Sequence, residues 1–198
     1  MTNLHPRDPW VFDTRVLGRR AGTMAELQRD VAVSEEMGTD VIAVRAGEAV
    51  SLDARFESVL EGVLASGTAR SLARGACVRC LDDVALPVEA SFQELFAYAD
   101  RAAHHQQVGD EDEDRFVLEG DLLSLEPVVR DAVVLQLPFQ PVCRPDCPGL
   151  CVECGQHLAD DPEHGHDSID PRWASLQALA SGGSQQSPAS QNAEEKRN

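Results

Sequence analysis

Val50-Ser-Leu-Asp-Ala-Arg-Phe56 alternates apolar and polar side chains without a break, and this period of two decides how the middle of the chain folds. Val41 and Ala43 begin the pattern. Thr68 to Ala76 repeats it, and Val84, Leu86 and Val88 lead into Phe92, Leu95 and Phe96. The runs are short and separated by Gly, Asp or Ser, with Gly67 read as a turn. They predict four or five strands in an antiparallel meander over residues 40–99. Such a sheet either curls into a small barrel or is covered on one face by a helix.

A helix that could cover it is readable farther on. Leu122, Leu125, Val129, Val133 and Leu137 recur at helical spacing from Asp121 to Leu137. Asp121 or Ser124 offers a cap, Pro127 fits the first turn, and Pro138 and Pro141 end the element. Residues 1–39 are less regular, with Thr23 placed to cap a short helix from Met24 to Asp30. Residues 100–120 are a polar loop carrying the acidic run Asp110 to Asp114, with His104 and His105 as surface residues beside it. A last short helix is expected to open at Asp170-Pro171 and to bury Trp173, Leu176 and Leu179. The expected organisation is one α+β domain over residues 1–180, with the helix in 121–142 and a cysteine-rich loop and short helix in 143–180. The Gly/Ser/Gln-rich residues 181–198 read as a disordered tail.

The formal net charge of the 198-residue chain is −17, and its one lysine is Lys196. A protein that wraps a nucleic-acid duplex offers a basic face, so this balance favours basic partners over naked nucleic acid. Met1 to Trp10 lacks an apolar core of the kind a signal peptide needs, and no stretch approaches the ~20 apolar residues of a membrane span. A cytoplasmic protein is expected. In that compartment, paired cysteines are metal ligands or redox thiols before they are disulfides.

The six cysteines form three close pairs: Cys77-Val-Arg-Cys80, Cys143-Arg-Pro-Asp-Cys147 and Cys151-Val-Glu-Cys154-Gly155. A tight turn aims two thiolates the same way, and two turns complete a tetrahedral Zn²⁺ site. The first pair lies between predicted strands, on a hairpin turn, and Gly155 can take the positive φ that such a turn needs. Two ligand sets compete. One is a single ribbon of Cys77, Cys80, Cys151 and Cys154, leaving Cys143 and Cys147 spare. The other makes two sites: Cys77, Cys80, Cys143 and Cys147 in the first, Cys151, Cys154, His164 and His166 in the second. Ligand counting favours the second set, which uses every cysteine; His157 is a further candidate. One or two structural Zn²⁺ ions are thus expected, the first closing a loop of more than ~60 residues.

Closed four-ligand sites leave no open coordination position, and neither an HExxH, a nucleophile elbow nor a phosphate loop is present. Catalysis and a small-molecule substrate are not expected. Arg74 precedes the first pair and Arg79 lies within it, and both are candidate RNA contacts; ion pairing with Asp82 and Asp83 is the plainer account. A zinc-ribbon regulator that binds nucleic acid or RNA polymerase, a thiol redox factor and a small metallohydrolase are the rival readings.

The layout resembles the YceD family, the large-ribosomal-RNA-subunit accumulation proteins of bacteria and plastids. The resemblance covers roughly residues 12–180. It is carried by Cys77-Val-Arg-Cys80-Leu81, Phe92-Gln-Glu-Leu-Phe96, the acidic gap, Asp121-Leu122 with the helix to Leu137-Pro138, Cys143-Arg-Pro-Asp-Cys147-Pro-Gly-Leu-Cys151-Val-Glu-Cys154-Gly155, and Asp170-Pro171-Arg172. His164-Gly-His166 stands where many relatives carry Cys-x-Cys, which implies a ligand role for both histidines. The resemblance implies a non-enzymatic factor for processing or accumulation of large-subunit ribosomal RNA in ribosome biogenesis. Its partners would be the large-subunit ribosomal RNA precursor, a basic ribosomal protein, or both.

Overall fold

The computed structural model describes residues 4–100, 116–166, 171–173 and 176. The acidic run, His104, His105, Asp170, Leu179 and the tail lie outside the described residues. The chain divides into two compact units, residues 1–150 and 151–198.

The first unit is mostly antiparallel sheet. β1 (Val11–Asp13) pairs with β8 (Leu122–Ser124). A six-stranded sheet holds β2 (Met24–Ala32), β3 (Met37–Gly38), β4 (Ile42–Val44), β5 (Ala49–Ser58), β6 (Gly62–Ala76) and β7 (Asp83–Ala97). Its order is β2-β5-β6-β4-β3, with β7 also on β6. β7 pairs with β6 over the whole of Gly62–Ala76, whereas β5 takes Val63–Arg70 and β4 takes Arg74–Gly75. A strand has two edges, so β5 and β4 share one edge of β6 in tandem and β7 fills the other. The alternation in β5 does what its period demands: Val50, Leu52, Ala54 and Phe56 are buried, while Ser51, Asp53 and Arg55 are exposed. Phe56 stacks on Phe12 with centroids 3.7 Å apart.

Gly67 is a strand residue, not a turn. It sits mid-β6 opposite Ala54 and Phe92, and a Cβ there would overlap the Asp53 carbonyl and the tip of the Phe92 ring. Close approach of two neighbouring strands, not reversal of the chain, is what the glycine permits. The reversal falls at 59–61, where the Val59 N–H bonds the Gly62 carbonyl.

Met24 to Asp30 is strand, not helix. Leu27 and Val31 are spaced to suit either period. A nine-residue ladder from Met24↔Glu57 to Ala32↔Ala49 settles the choice through backbone hydrogen bonds that no local cap can match.

α1 (Glu126–Gln136) is shorter than its apolar spacing implies. Leu122–Ser124 is taken by the ladder to β1, and Leu125 holds the N-cap position without a side-chain cap. Pro127 lies in the first turn, and Leu137 is extended ahead of Pro138, as the proline ring requires. Val128, Val129 and Val133 are buried in one apolar cluster with Val63, Ala69, Phe92 and Phe96 of the sheet. No helix of the described residues is long and apolar enough to cross a membrane.

In the second unit, Pro171–Trp173 forms a single 3-10 turn. Trp173 is 60% and Leu176 47% exposed, so the expected buried stripe is not formed by these two residues. Leu176 is itself helical.

Candidate metal centres

Both x2 pairs build the same turn. In the first, the Cys77 N–H donates to the Asp82 carbonyl and the Leu81 N–H to the Cys77 carbonyl, both at 2.8 Å. In the second, the Cys151 N–H donates to the Gln156 carbonyl and the Gly155 N–H to the Cys151 carbonyl, again at 2.8 Å. The residue after the second cysteine has positive φ in each, +65° at Leu81 and +76° at Gly155. The first turn closes the β6–β7 hairpin, directly beyond the Ala76↔Asp83 pair.

The first turn is met by the chain leaving α1. The Val78 N–H bonds the Pro141 carbonyl at 2.9 Å, and the Leu150 N–H bonds the Arg79 carbonyl at 3.1 Å. Arg79 Nη1 donates to the carbonyls of Pro145 and Cys147 at 3.2 and 3.0 Å. Gly149, at φ +84°, lies against the Arg79 carbonyl. These bonds bring Cys143 and Cys147 to Cys77 and Cys80. Sγ–Sγ distances are 3.8 Å for Cys77–Cys147 and 3.6 Å for Cys80–Cys143. A tetrahedral ion with ~2.3 Å Zn–S bonds has edges of ~3.8 Å, so the four sulfurs stand as a tetrathiolate site requires. Cys77, Cys80 and Cys147 are buried, in a small apolar cluster with Val84 and against Leu86, Val142 and Leu150.

The second unit brings Cys151, Cys154, His164 and His166 together, their ligand atoms within 4.8 Å of one another. Cys154 Sγ is 3.2 Å from His164 Nε2 and 3.3 Å from His166 Nε2, and the two Nε2 atoms are 3.0 Å apart. Both rings present Nε2 to the centre and stand edge to face, 83° apart. His166 Nδ1 lies 3.6 Å from Glu153 Oε2, and a carboxylate beside the outer nitrogen is the usual partner of a ligating imidazole. Cys154 and His166 are exposed, and Cys151 and His164 half-buried.

Each turn also prepares a thiolate. Burial opposes charge at Cys77, but N–H groups of Cys143, Cys80 and Arg79 and the Cys80 thiol bring it down to about 6. N–H groups of Cys154 and Glu153, then the Cys154 thiol and His164, bring Cys151 to about 6 against burial. Burial and the Cys147 thiol push Cys143 up. Cys80 is pushed up although the Asp82 N–H acts to lower it: burial, the Asp82 carboxyl 3.2 Å away, and the Cys77 and Cys147 thiols outweigh that bond. One readily ionised cysteine per cluster suits metal capture, because the first thiolate binds and the ion then deprotonates the others.

All eight residues named as ligands from the sequence thus fall into two fours, each able to hold a metal ion. The single-ribbon set is not the grouping formed. His157 is outside both fours. Arg74 Nε is bound to Glu48 Oε1 at 2.7 Å, and Arg79 Nη1 to the carbonyls of Pro145 and Cys147. Sequence reasoning missed Glu153 as the partner of His166 and Arg79 as a clamp. In so acidic a chain one more carboxylate carries no signal, and an arginine bound to carbonyls has no motif.

The family model described as "Large ribosomal RNA subunit accumulation protein YceD" matches residues 65–180, more than half of the chain. The chain belongs to the YceD family. The YceD match begins inside β6 and takes in both cysteine turns, β7, α1 and the histidine pair. An uncharacterised protein of Mycobacterium tuberculosis is 46% identical over 172 residues, covering 87% of this chain and 82% of its own. One of Mycobacterium leprae is 42% identical over 175 residues, covering 88% and 79%. The uncharacterised Bacillus subtilis protein YlbN is 31% identical over 114 residues, covering 52% and 58%. No solved structure gives a significant match.

Proposed function

We propose that this YceD-family chain is a non-enzymatic accessory factor for accumulation of large-subunit ribosomal RNA, acting in the cytoplasm and stapled by two structural Zn²⁺ ions. The observation that carries the reading is the pair of closed four-residue clusters. Each offers a full tetrahedral set of protein donors, S₄ in one and S₂N₂ in the other, which matches structural rather than catalytic zinc. The first ion would tie the β6–β7 hairpin to the chain leaving α1; the second would organise residues 151–166. The acidic body, at net charge −17, suits a basic ribosomal protein or its complex with ribosomal RNA better than naked RNA.

The test is deletion in a bacterium that carries the gene, followed by the ratio of large- to small-subunit ribosomal RNA. A fall in that ratio, restored by the wild-type chain and not by a Cys77→Ser/Cys147→Ser chain, is expected. An unchanged ratio, or full rescue by the doubly substituted chain, would overturn the reading.

A further inference from the structure

The two cysteine turns share a backbone and differ at its one strained position. Where the second turn has Gly155, the first has Leu81 at φ +65°, a conformation that branched L side chains avoid. Burial gives nothing back, since Leu81 is 66% exposed. A bulky apolar residue held strained and in water is a cue to function. Leu81 does not stand alone. Val78 of the same turn and Val41, whose carbonyl accepts from the Ala76 N–H, are each 42% exposed. The three line one cleft of about 530 Å³. Its rim carries Glu36, Asp40 and Asp83, none with an ion-pair partner among the described residues. Of the two arginines there, Arg74 is neutralised by Glu48. Among the described lining residues, that leaves Arg45 to oppose the three carboxylates.

We propose that this cleft docks an arginine- or lysine-rich protein segment that inserts one apolar side chain among Val41, Val78 and Leu81. The rim selects the charge of the segment and the three side chains select its anchor, the division of labour usual in peptide grooves. RNA would bring phosphates against the carboxylates, and a second copy would bring the same acidic rim. The inference rests on reading the chain as a binding factor, but it needs only the first unit and no ribosomal role.

The test uses the full zinc-loaded chain, isotope-labelled for NMR. Short peptides with a central Leu, Ile, Phe or Trp flanked by Arg and Lys are titrated in. The controls are the same peptides with an Ala centre or Glu flanks, and single-stranded RNA. Shifts confined to 36–45 and 74–83 are expected with the basic apolar-centred peptides. They should weaken about tenfold or more with the Ala centre, in Leu81→Gly and in Asp40→Asn/Asp83→Asn. Leu81→Gly relieves strain, so loss of binding there cannot be blamed on unfolding, and Val152→Ala in the second unit serves as the neutral variant. No shift with any basic peptide, equal binding of the Glu-flanked peptides, or the same residues responding to RNA or to self-association would overturn the proposal. If peptides bind but deletion leaves ribosomal RNA unchanged, the cleft stands and the ribosomal reading falls.

Discussion

The first candidate centre is mostly buried and the second is open, though both start from the same turn. Cys77, Cys147 and Cys80 are 0%, 4% and 5% exposed and Cys143 faces solvent, whereas in the second cluster Cys154 and His166 face solvent and Cys151 and His164 are half-buried. The first draws its ligands from a hairpin and from a loop more than sixty residues away, and that loop is also held by Arg79, Val78 and Leu150. The second draws all four from residues 151–166. One turn geometry can therefore serve two ends. In the first unit it joins elements distant in sequence around a small apolar cluster; in the second it gathers four candidate ligands from one short stretch of chain.

That contrast is broken most forcefully at Cys77. Cys77→Ser removes a buried ligand and the thiolate that its turn prepares. It is expected to abolish metal at the first centre and to lower the melting temperature of the first unit by about 10 °C or more. Scanning calorimetry checks it, and a change under a few degrees would show that the hydrogen bonds alone hold the loop. His164→Ala should have a local effect. Losing a direct ligand should exceed the ~10–100-fold loss typical of outer-shell partners, with Cys151 and Cys154 becoming reactive to a thiol reagent. Melting of the first unit should stay put. Glu153→Gln should weaken the second centre by about tenfold, read by competition with a chelating dye, and leave the first centre untouched.

Two further substitutions sharpen the comparison with smaller effects. Arg79→Ala gives up two bonds to loop carbonyls and should cost about 1–2 kcal/mol in denaturant unfolding of the zinc-loaded protein. Exchanging the strained positions should give opposite signs: Leu81→Gly stabilising by up to about 1 kcal/mol, Gly155→Leu destabilising by about the same amount. Equal signs would mean that the two turns are not equivalent.

The two groupings of candidate ligands were legible because cysteine spacing is a local property. A turn with two thiols looks the same wherever it sits, and counting to four assigned the histidines. The strands of 40–99 were legible for the same reason, since period two is written in neighbouring residues. The misread segments are those where a distant partner decides. Met24–Ala32 reads as helix or strand until β5 is present, and Leu122–Ser124 leaves the helical pattern because β1 claims it. Gly67 looks like a turn until Phe92 and Asp53 are seen to close on it from two neighbouring strands. The clamps at Arg79 and the Glu153–His166 pair have no one-dimensional signature, because carbonyls and carboxylates are everywhere in the chain.

The most direct test of the account is zinc stoichiometry by native mass spectrometry on the full chain and on His164→Ala/His166→Ala. Two closed centres with separate ligand sets predict two ions in the wild type and one in the double variant, with Cys77 and Cys147 still protected from alkylation. A single ion in both proteins, retained by a Cys143→Ser/Cys147→Ser chain, would contradict it and restore the ribbon of Cys77, Cys80, Cys151 and Cys154.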